Sequence, residues 1–223
     1  MHCKTILLSV AIPVMMLLAL SSCNPNSSDR NNNDSLSQKV IIQKPGYIPP
    51  LAADSGYTPP DRSPMDMSYF PADYPMQRMN GADTLPPLAR VIYSRPQKNG
   101  REVFGSSDKS LCHYGKEWRL GANEATEIEF FKPVTIKGKS LPAGRYVLYG
   151  IPYEDKWVMV FNSGLYTWGL HIDASKDIFR IELPVKPISH AVEVFTIQFE
   201  PTGSNAKLVM AWDNVQTEMP INF

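Results

Sequence analysis

From Arg90 onward, apolar and polar residues alternate along the chain with a period of two. Val91 and Tyr93 alternate with Arg90, Ile92 and Ser94, and Ile128, Phe130, Val134 and Ile136 share one parity against Glu127 and Glu129. Phe179, Ile181, Leu183 and Val185 stand against Arg180, Glu182 and Lys186; Phe195, Ile197 and Phe199 stand against Thr196, Gln198 and Glu200. Leu208, Met210 and Trp212 close the series. Successive side chains of a strand point to opposite faces, so these segments predict strands with one dry and one wet face, as in antiparallel sheets. Residues 146–149 and 157–161 are apolar on both parities and predict central strands. Asn99-Gly100 predicts a hairpin returning through Glu102, Val103 and Phe104. Gly138, Gly144, Asn162-Ser163-Gly164 and residues 201–205 supply the remaining turns. No segment sustains a helical period. The expected fold is all-β, an antiparallel β-sandwich or flattened barrel of about nine or ten strands.

The first residues follow a different logic. Lys4 precedes an apolar run from Ile6 to Leu20, which ends in Leu20-Ser21-Ser22-Cys23. The run has the length of a signal-peptide core and is short for a bilayer span. Small residues before the cysteine resemble the lipobox of bacterial lipoproteins, which implies cleavage before Cys23, its acylation and stable membrane attachment. Asn24 stands where aspartate would mark inner-membrane retention, so the expected location is the envelope of a Gram-negative-type bacterium, at the outer membrane. Residues 23–62 are rich in Pro, Asn and Ser and predict a flexible tether, because they carry too little apolar surface to offset their ordering entropy. Gly46-Tyr47-Ile48-Pro49-Pro50 and Gly56-Tyr57-Thr58-Pro59-Pro60 repeat imperfectly within it. Met65, Met67, Tyr69, Phe70, Tyr74, Met76 and Met79 then crowd a short stretch, which predicts an opening strand or an arm packed on the folded domain. The chain thus divides into a lipoprotein signal peptide (1–22), a tether (23–62) and a β-domain (63–223).

Charge adds only exclusions. Removing a signal with one lysine and no acidic residue leaves 21 basic against 22 acidic side chains, with no basic stripe to attract nucleic acid. Cys3 lies in the signal and Cys23 carries lipid, so Cys112 is the one free thiol and the apolar core alone must hold the fold.

The least ordinary motif runs from Tyr114 through Gly115-Lys116-Glu117-Trp118-Arg119-Leu120-Gly121-Ala122-Asn123-Glu124-Ala125-Thr126. It occurs in order with Tyr93-Ser94-Arg95-Pro96, Gly100-Arg101, Phe104-Gly105, Leu141-Pro142-Ala143-Gly144, Ile151-Pro152 and Trp168-Gly169. This set resembles the bacterial family known as domain of unknown function 2911, from about Ser63 to Phe223. The resemblance implies an exported protein, often a lipoprotein, and brings no reaction, cofactor or catalytic residue with it.

Two readings of the polar loop stand side by side. Arg119 pairs with Glu124 or Glu117 while Asn123 satisfies turn backbone, or Arg119, Asn123 and Glu124 form a recognition site at one end of the sandwich, with Arg95 as a further candidate. Of the four tryptophans, Trp118, Trp157 and Trp212 fall in alternating patterns and predict core, whereas Trp168, in a loop, is a candidate stacking platform for a glycan or peptide ligand. Cys112-His113 are adjacent and diverge on a strand, and His171 and His190 are remote, so no metal site is expected. No Gly-x-Ser-x-Gly elbow and no phosphate-cradling loop occurs, and no cofactor is expected. The sequence therefore points to a lipid-anchored, non-catalytic binding or structural module. The alternative is a hydrolase of envelope or dietary polymers working from the Arg119–Glu124 loop, with Glu124 and either Glu127 or Asp173 as paired carboxylates.

Overall fold

A computed structural model describes residues 60–81 and 86–223. Cys23, the signal peptide and almost all of the tether lie outside the described residues. In chain order the elements are β1 (Met65–Phe70), α1 (Tyr74–Met79), β2 (Ala89–Ser94), β3 (Phe104–Gly105), β4 (Cys112–His113), β5 (Glu127–Phe130), β6 (Val134–Ile136), β7 (Lys139–Leu141), β8 (Gly144–Pro152) and β9 (Lys156–Asn162). A short 3-10 turn at Ala174–Lys176 leads into β10 (Asp177–Pro184), followed by β11 (Lys186–Thr202) and β12 (Asn205–Ile221). The twelve strands exceed the expected count because β3 and β4 are two-residue strands, too short to alternate visibly.

One sheet has six strands in the order β1-β2-β5-β8-β9-β10, each pair antiparallel. The long hairpin β11-β12 forms the facing layer, as the sandwich expectation requires. Strand parity decides what lies between them. Val91, Tyr93, Ile128, Phe130, Ile181 and Leu183 from the large sheet and Phe195, Ile197, Phe199, Leu208, Met210 and Trp212 from the hairpin belong to one buried cluster. Polar stitching joins the layers where alternation brings donors inward: Tyr93 Oη accepts the Ile197 amide at 2.9 Å. Burial raises the Tyr93 pKa, against the opposing effect of that bond.

The Asn99-Gly100 turn forms with both residues left-handed, φ 50° and 70°, and the Arg101 amide donates to the Lys98 carbonyl at 3.1 Å. It does not join two paired strands, however. Both edges of β2 are already taken by β1 and β5, so a returning strand has nowhere to bond. The segment instead crosses to the hairpin, where Gln97 bridges Val194 and Lys98 N–H donates to Glu193 O.

The Met-rich segment lies on the domain, as expected, as edge strand β1 and the single-turn-and-a-half α1. Only Phe70 of it is buried, stacked on Phe223 at 5.3 Å and tilted on Phe199 at 6.2 Å, while Met65, Met67, Met76 and Met79 stay exposed.

Residues 146–149 are buried on both faces, as central strands should be. The outer face is closed by a polar cluster. Tyr149 Oη donates to both Asp177 oxygens at 3.0 and 2.9 Å, Asn162 Nδ2 donates to the same carboxylate at 2.9 Å, and Arg180 Nη2 does so at 2.7 Å. Burial works to raise the Asp177 pKa, but these donors outweigh it and hold the carboxyl below its ordinary value.

Two outcomes follow from this packing. Ile181→Ala, which empties a position opposite Met159, lowers stability by about 2–5 kcal/mol in denaturant titrations, whereas Glu182→Ala, on the wet face beside Lys156, leaves the midpoint nearly unchanged. The depressed Asp177 pKa stabilises the fold fully above the unfolded value of about 3.9 and is lost as pH falls through the folded value. Thermal melts taken below pH 4 therefore show a shallower acid-side decline for Asp177→Asn than for the wild type.

Candidate functional site

The polar loop is built by backbone constraint more than by side-chain pairing. Trp118 and Gly150 of β8 exchange two amide bonds, at 2.7 and 2.9 Å, which fixes the chain just before Arg119. Leu120 then turns left-handed, φ 52°, a conformation that is rare for a branched side chain and is held here by burial. Its carbonyl accepts Thr126 Oγ1 at 2.6 Å. Gly121, at φ 150°, lies so close to β2 that a Cβ would sit 2.6 Å from the Ser94 carbonyl oxygen. Asn123 is left-handed again, φ 58°, and its carbonyl accepts the Gly169 amide at 3.1 Å. The next residue, Glu124, faces Trp168 across an isolated antiparallel bridge. The connection from β9 to β10 is thus pinned to this loop as well as to the end of β9, where Asn162 Nδ2 donates to the Asp173 carbonyl.

Arg119, Asn123, Glu124 and Trp168 therefore come together, and Arg95 lies elsewhere. Arg95 is fully engaged: Nη1 pairs with Asp66 at 2.9 Å, Nη2 donates to Thr196 Oγ1 at 3.0 Å and Nε donates to Phe195 O at 3.2 Å. It ties β1 to β11 beside a separate open concavity of about 350 Å³.

The expected pairing of Arg119 with Glu124 or Glu117 does not form. The left-handed turns at Leu120 and Asn123 carry Glu124 round to the solvent side, where it is exposed. Arg119 makes no ion pair and no side-chain hydrogen bond among the described residues, and its Nε is sealed from water without a partner. The stem crosses directly over Gly169, where a Cβ would collide with Arg119 Cδ and lie 2.8 Å from the Asn123 carbonyl oxygen. Burial lowers the Arg119 pKa. Asn123 contributes its backbone carbonyl and not its amide side chain to the turn.

Arg119 opens on a cleft of about 310 Å³. Trp118 and Trp212 line its apolar side; their rings stack at 5.9 Å in a cluster with Phe104, Trp157 and Phe195. Arg101 and Lys116 supply further positive charge to the lining, and neither is in an ion pair. Arg101 is steadied by carbonyls alone, Nη2 on Gln97 O at 2.6 Å and Nε on Lys98 O at 3.0 Å. Among the described residues, Glu117 is the one carboxylate of the lining. Cys112 also borders the cleft, but burial drives its thiol pKa far up, with the Arg119 charge pulling only weakly the other way, so it is no nucleophile. His113, exposed where Cys112 is buried, belongs to the same lining. Trp118, Trp157 and Trp212 are core, and Trp168 is 44% exposed.

The sequence identified Arg119 and its loop but not the wall opposite. Arg101 and Lys116 carry no spacing that distinguishes them from ordinary surface cations. The available signals were the Gly115-Lys116 turn inside the same motif and the Gly100-Arg101 pair that occurs in order with it.

A family model described as protein of unknown function (DUF2911) matches residues 77–221 and covers every element of this cleft except Ser63. No curated protein and no solved structure matches the chain.

Because Arg119 has no protein partner to strand, Arg119→Met, which keeps the stem, leaves the melting temperature unchanged or raises it. Gly169→Ala forces the stem and the Asn123 carbonyl apart and costs about 1–3 kcal/mol. Thermal melts of the two variants check both.

Proposed function

Since the chain belongs to the DUF2911 family, proteins of unknown function, no reaction comes with membership, and we propose from its own residues that it is a non-catalytic binding module held at a membrane by a lipid on Cys23. The observation that carries the binding reading is the unpartnered guanidinium of Arg119 at the mouth of a tryptophan-lined cleft. The guanidinium has no partner among the described residues, so the donors it turns toward the cleft are free for a ligand to complete. The left-handed Leu120 and Asn123 fit the same account, because backbone held in sparsely populated conformations gathers at sites shaped for function.

The hydrolase alternative has less support. Of its carboxylates, Glu127 lies 3.5 Å from Arg145, and Asp173 caps the 3-10 turn by accepting from Ser175 N and Oγ. Glu124 stands alone in solvent. None of the three is placed in the lining of the Arg119 cleft.

The anchoring half of the proposal rests on the residues before Cys23 and on a Pro-rich stretch long enough to lift the domain clear of lipid headgroups, which suits an envelope protein at the outer membrane. Replacing Cys23 with Ala abolishes lipid labelling and moves the protein to the soluble envelope fraction; undiminished membrane association of that variant would refute the anchor. For the binding half, a thermal-shift screen of the purified chain against glycans, peptides and small acids raises the melting temperature with at least one class, since a ligand that binds only the native state must stabilise it.

A further inference from the structure

We propose that the Arg119 cleft takes a small amphipathic oxyanion, a carboxylate or phosphate carried on an apolar body. This rests on the binding reading above and adds the chemical class of the ligand.

The charge of the lining is the first argument. Among the described residues of the lining, Arg101, Lys116 and Arg119 bring three positive charges, Glu117 brings one negative and His113 adds an imidazole, and none of the three cations is in an ion pair with a described residue. Protein surfaces with this imbalance ordinarily neutralise it locally, as Arg90 with Glu129 and Arg95 with Asp66 do in this same fold. The cleft is a place where cations were gathered and their counter-charge left out. Its net positive field, set against low-dielectric indole walls, favours an anion over a neutral or cationic guest.

The second argument is the geometry of Arg119. Its stem is clamped over Gly169, and Nε is sealed, so the head has little freedom left to lose on binding. The two terminal nitrogens also carry no bond among the described residues, and the residue as a whole is only half-buried. A planar pair of parallel donors matches the two oxygens of a carboxylate or phosphate, and such charge-assisted bonds are the strong ones. Nothing else in the lining offers that fork: Arg101 already spends its head on the Gln97 and Lys98 carbonyls.

The third argument is the rest of the cavity. A volume of about 310 Å³ has room for on the order of ten non-hydrogen atoms, taking the ~30 Å³ share of a liquid water as the unit. Leu111, Leu170 and the small exposed parts of Trp118 and Trp212 belong to the lining, which favours an apolar body behind the anionic head. A free phosphate ion would leave that apolar lining wet, and a polynucleotide would not fit.

Fluorine NMR with three probes of one shape tests this on the purified full-length chain: trifluoromethyl-benzoate, trifluoromethyl-phenylphosphonate and the neutral trifluoromethyl-benzamide. The expected result is that at least one acid binds about tenfold or more tightly than the amide. Arg119→Met then weakens that acid by about tenfold or more, the scale of one charge-assisted hydrogen bond, while leaving the amide unchanged. Arg119→Lys restores part of the loss, and Lys139→Ala, on the β6-β7 hairpin away from the cleft, changes nothing. The relative strength of the two acids says which oxyanion is preferred. If Arg119→Met fails to fold, the exposed Arg101→Ala and Lys116→Ala carry the test, each weakening the acid about two- to fivefold and sparing the amide. Equal binding of acid and amide, acid binding that survives Arg119→Met with Arg101→Ala and Lys116→Ala equally silent, or no binding of either acid overturns the proposal. A neutral glycan or peptide that stabilises the chain while both acids fail overturns the oxyanion and keeps the binding module; failure of every class in the screen overturns both.

Discussion

The stack of Trp118 between the two layers is the contact on which the site depends. Its ring meets Trp157 of the large sheet edge-on at 5.3 Å and lies along Trp212 of the hairpin at 5.9 Å, with Phe195 at 4.9 Å. Its backbone is bonded to Gly150 in both directions. One residue therefore joins the layers through its side chain and fixes the start of the polar loop through its main chain. With no disulfide available among the described residues, aromatic burial at this point has to supply the rigidity that a cross-link would give a smaller exported domain. Arg119 follows directly in sequence, so the position of the guanidinium is inherited from the packing of an indole.

The loop shows how close backbone approach can substitute for side-chain pairing. Gly121 lies against the Ser94 carbonyl and Gly169 lies beneath the Arg119 stem, and each contact is one that a Cβ would forbid. Both glycines sit in motifs that stand out in the chain, Leu120-Gly121-Ala122 and Trp168-Gly169. Gly121 lets the segment before β5 lie against β2, and Gly169 lets the β9-β10 connection lie against that segment, so that the Arg119 side chain crosses between them without a described carboxylate to meet it.

What was legible in the sequence is what burial alone dictates. The parities of Phe179, Ile181 and Leu183, or of Phe195, Ile197 and Phe199, read directly because one face of each strand is dry, and the core holds these residues as alternation requires. The Asn99-Gly100 turn was legible as a turn, since both residues tolerate left-handed backbone, but not as a connection, because its partner depends on which edges of β2 are free. The isolation of Arg119 was illegible for a sharper reason. A sequence with Arg119, Glu117 and Glu124 within a few residues suggests a pair, and the left-handed Leu120, which no side-chain preference announces, acts with Asn123 to carry Glu124 away. The cations opposite were hidden because Arg101 and Lys116 reach the cleft through tertiary placement, from either side of the β3-β4 segment.

The methionines among the described residues divide into two populations that differ in exposure as well as position. Met65, Met67, Met76 and Met79 present their thioethers to solvent, whereas Met159, Met210 and Met219 are fully enclosed. Conversion to the sulfoxide turns a flexible apolar side chain into a polar one and disrupts a core that contains it. An oxidant arriving from outside meets the first group on β1 and α1, where the change costs the fold no packing, and the enclosed sulfurs are reached only through an unfolding event. The edge of the sheet thus carries oxidisable sulfur that peroxide meets before any sulfur in the core.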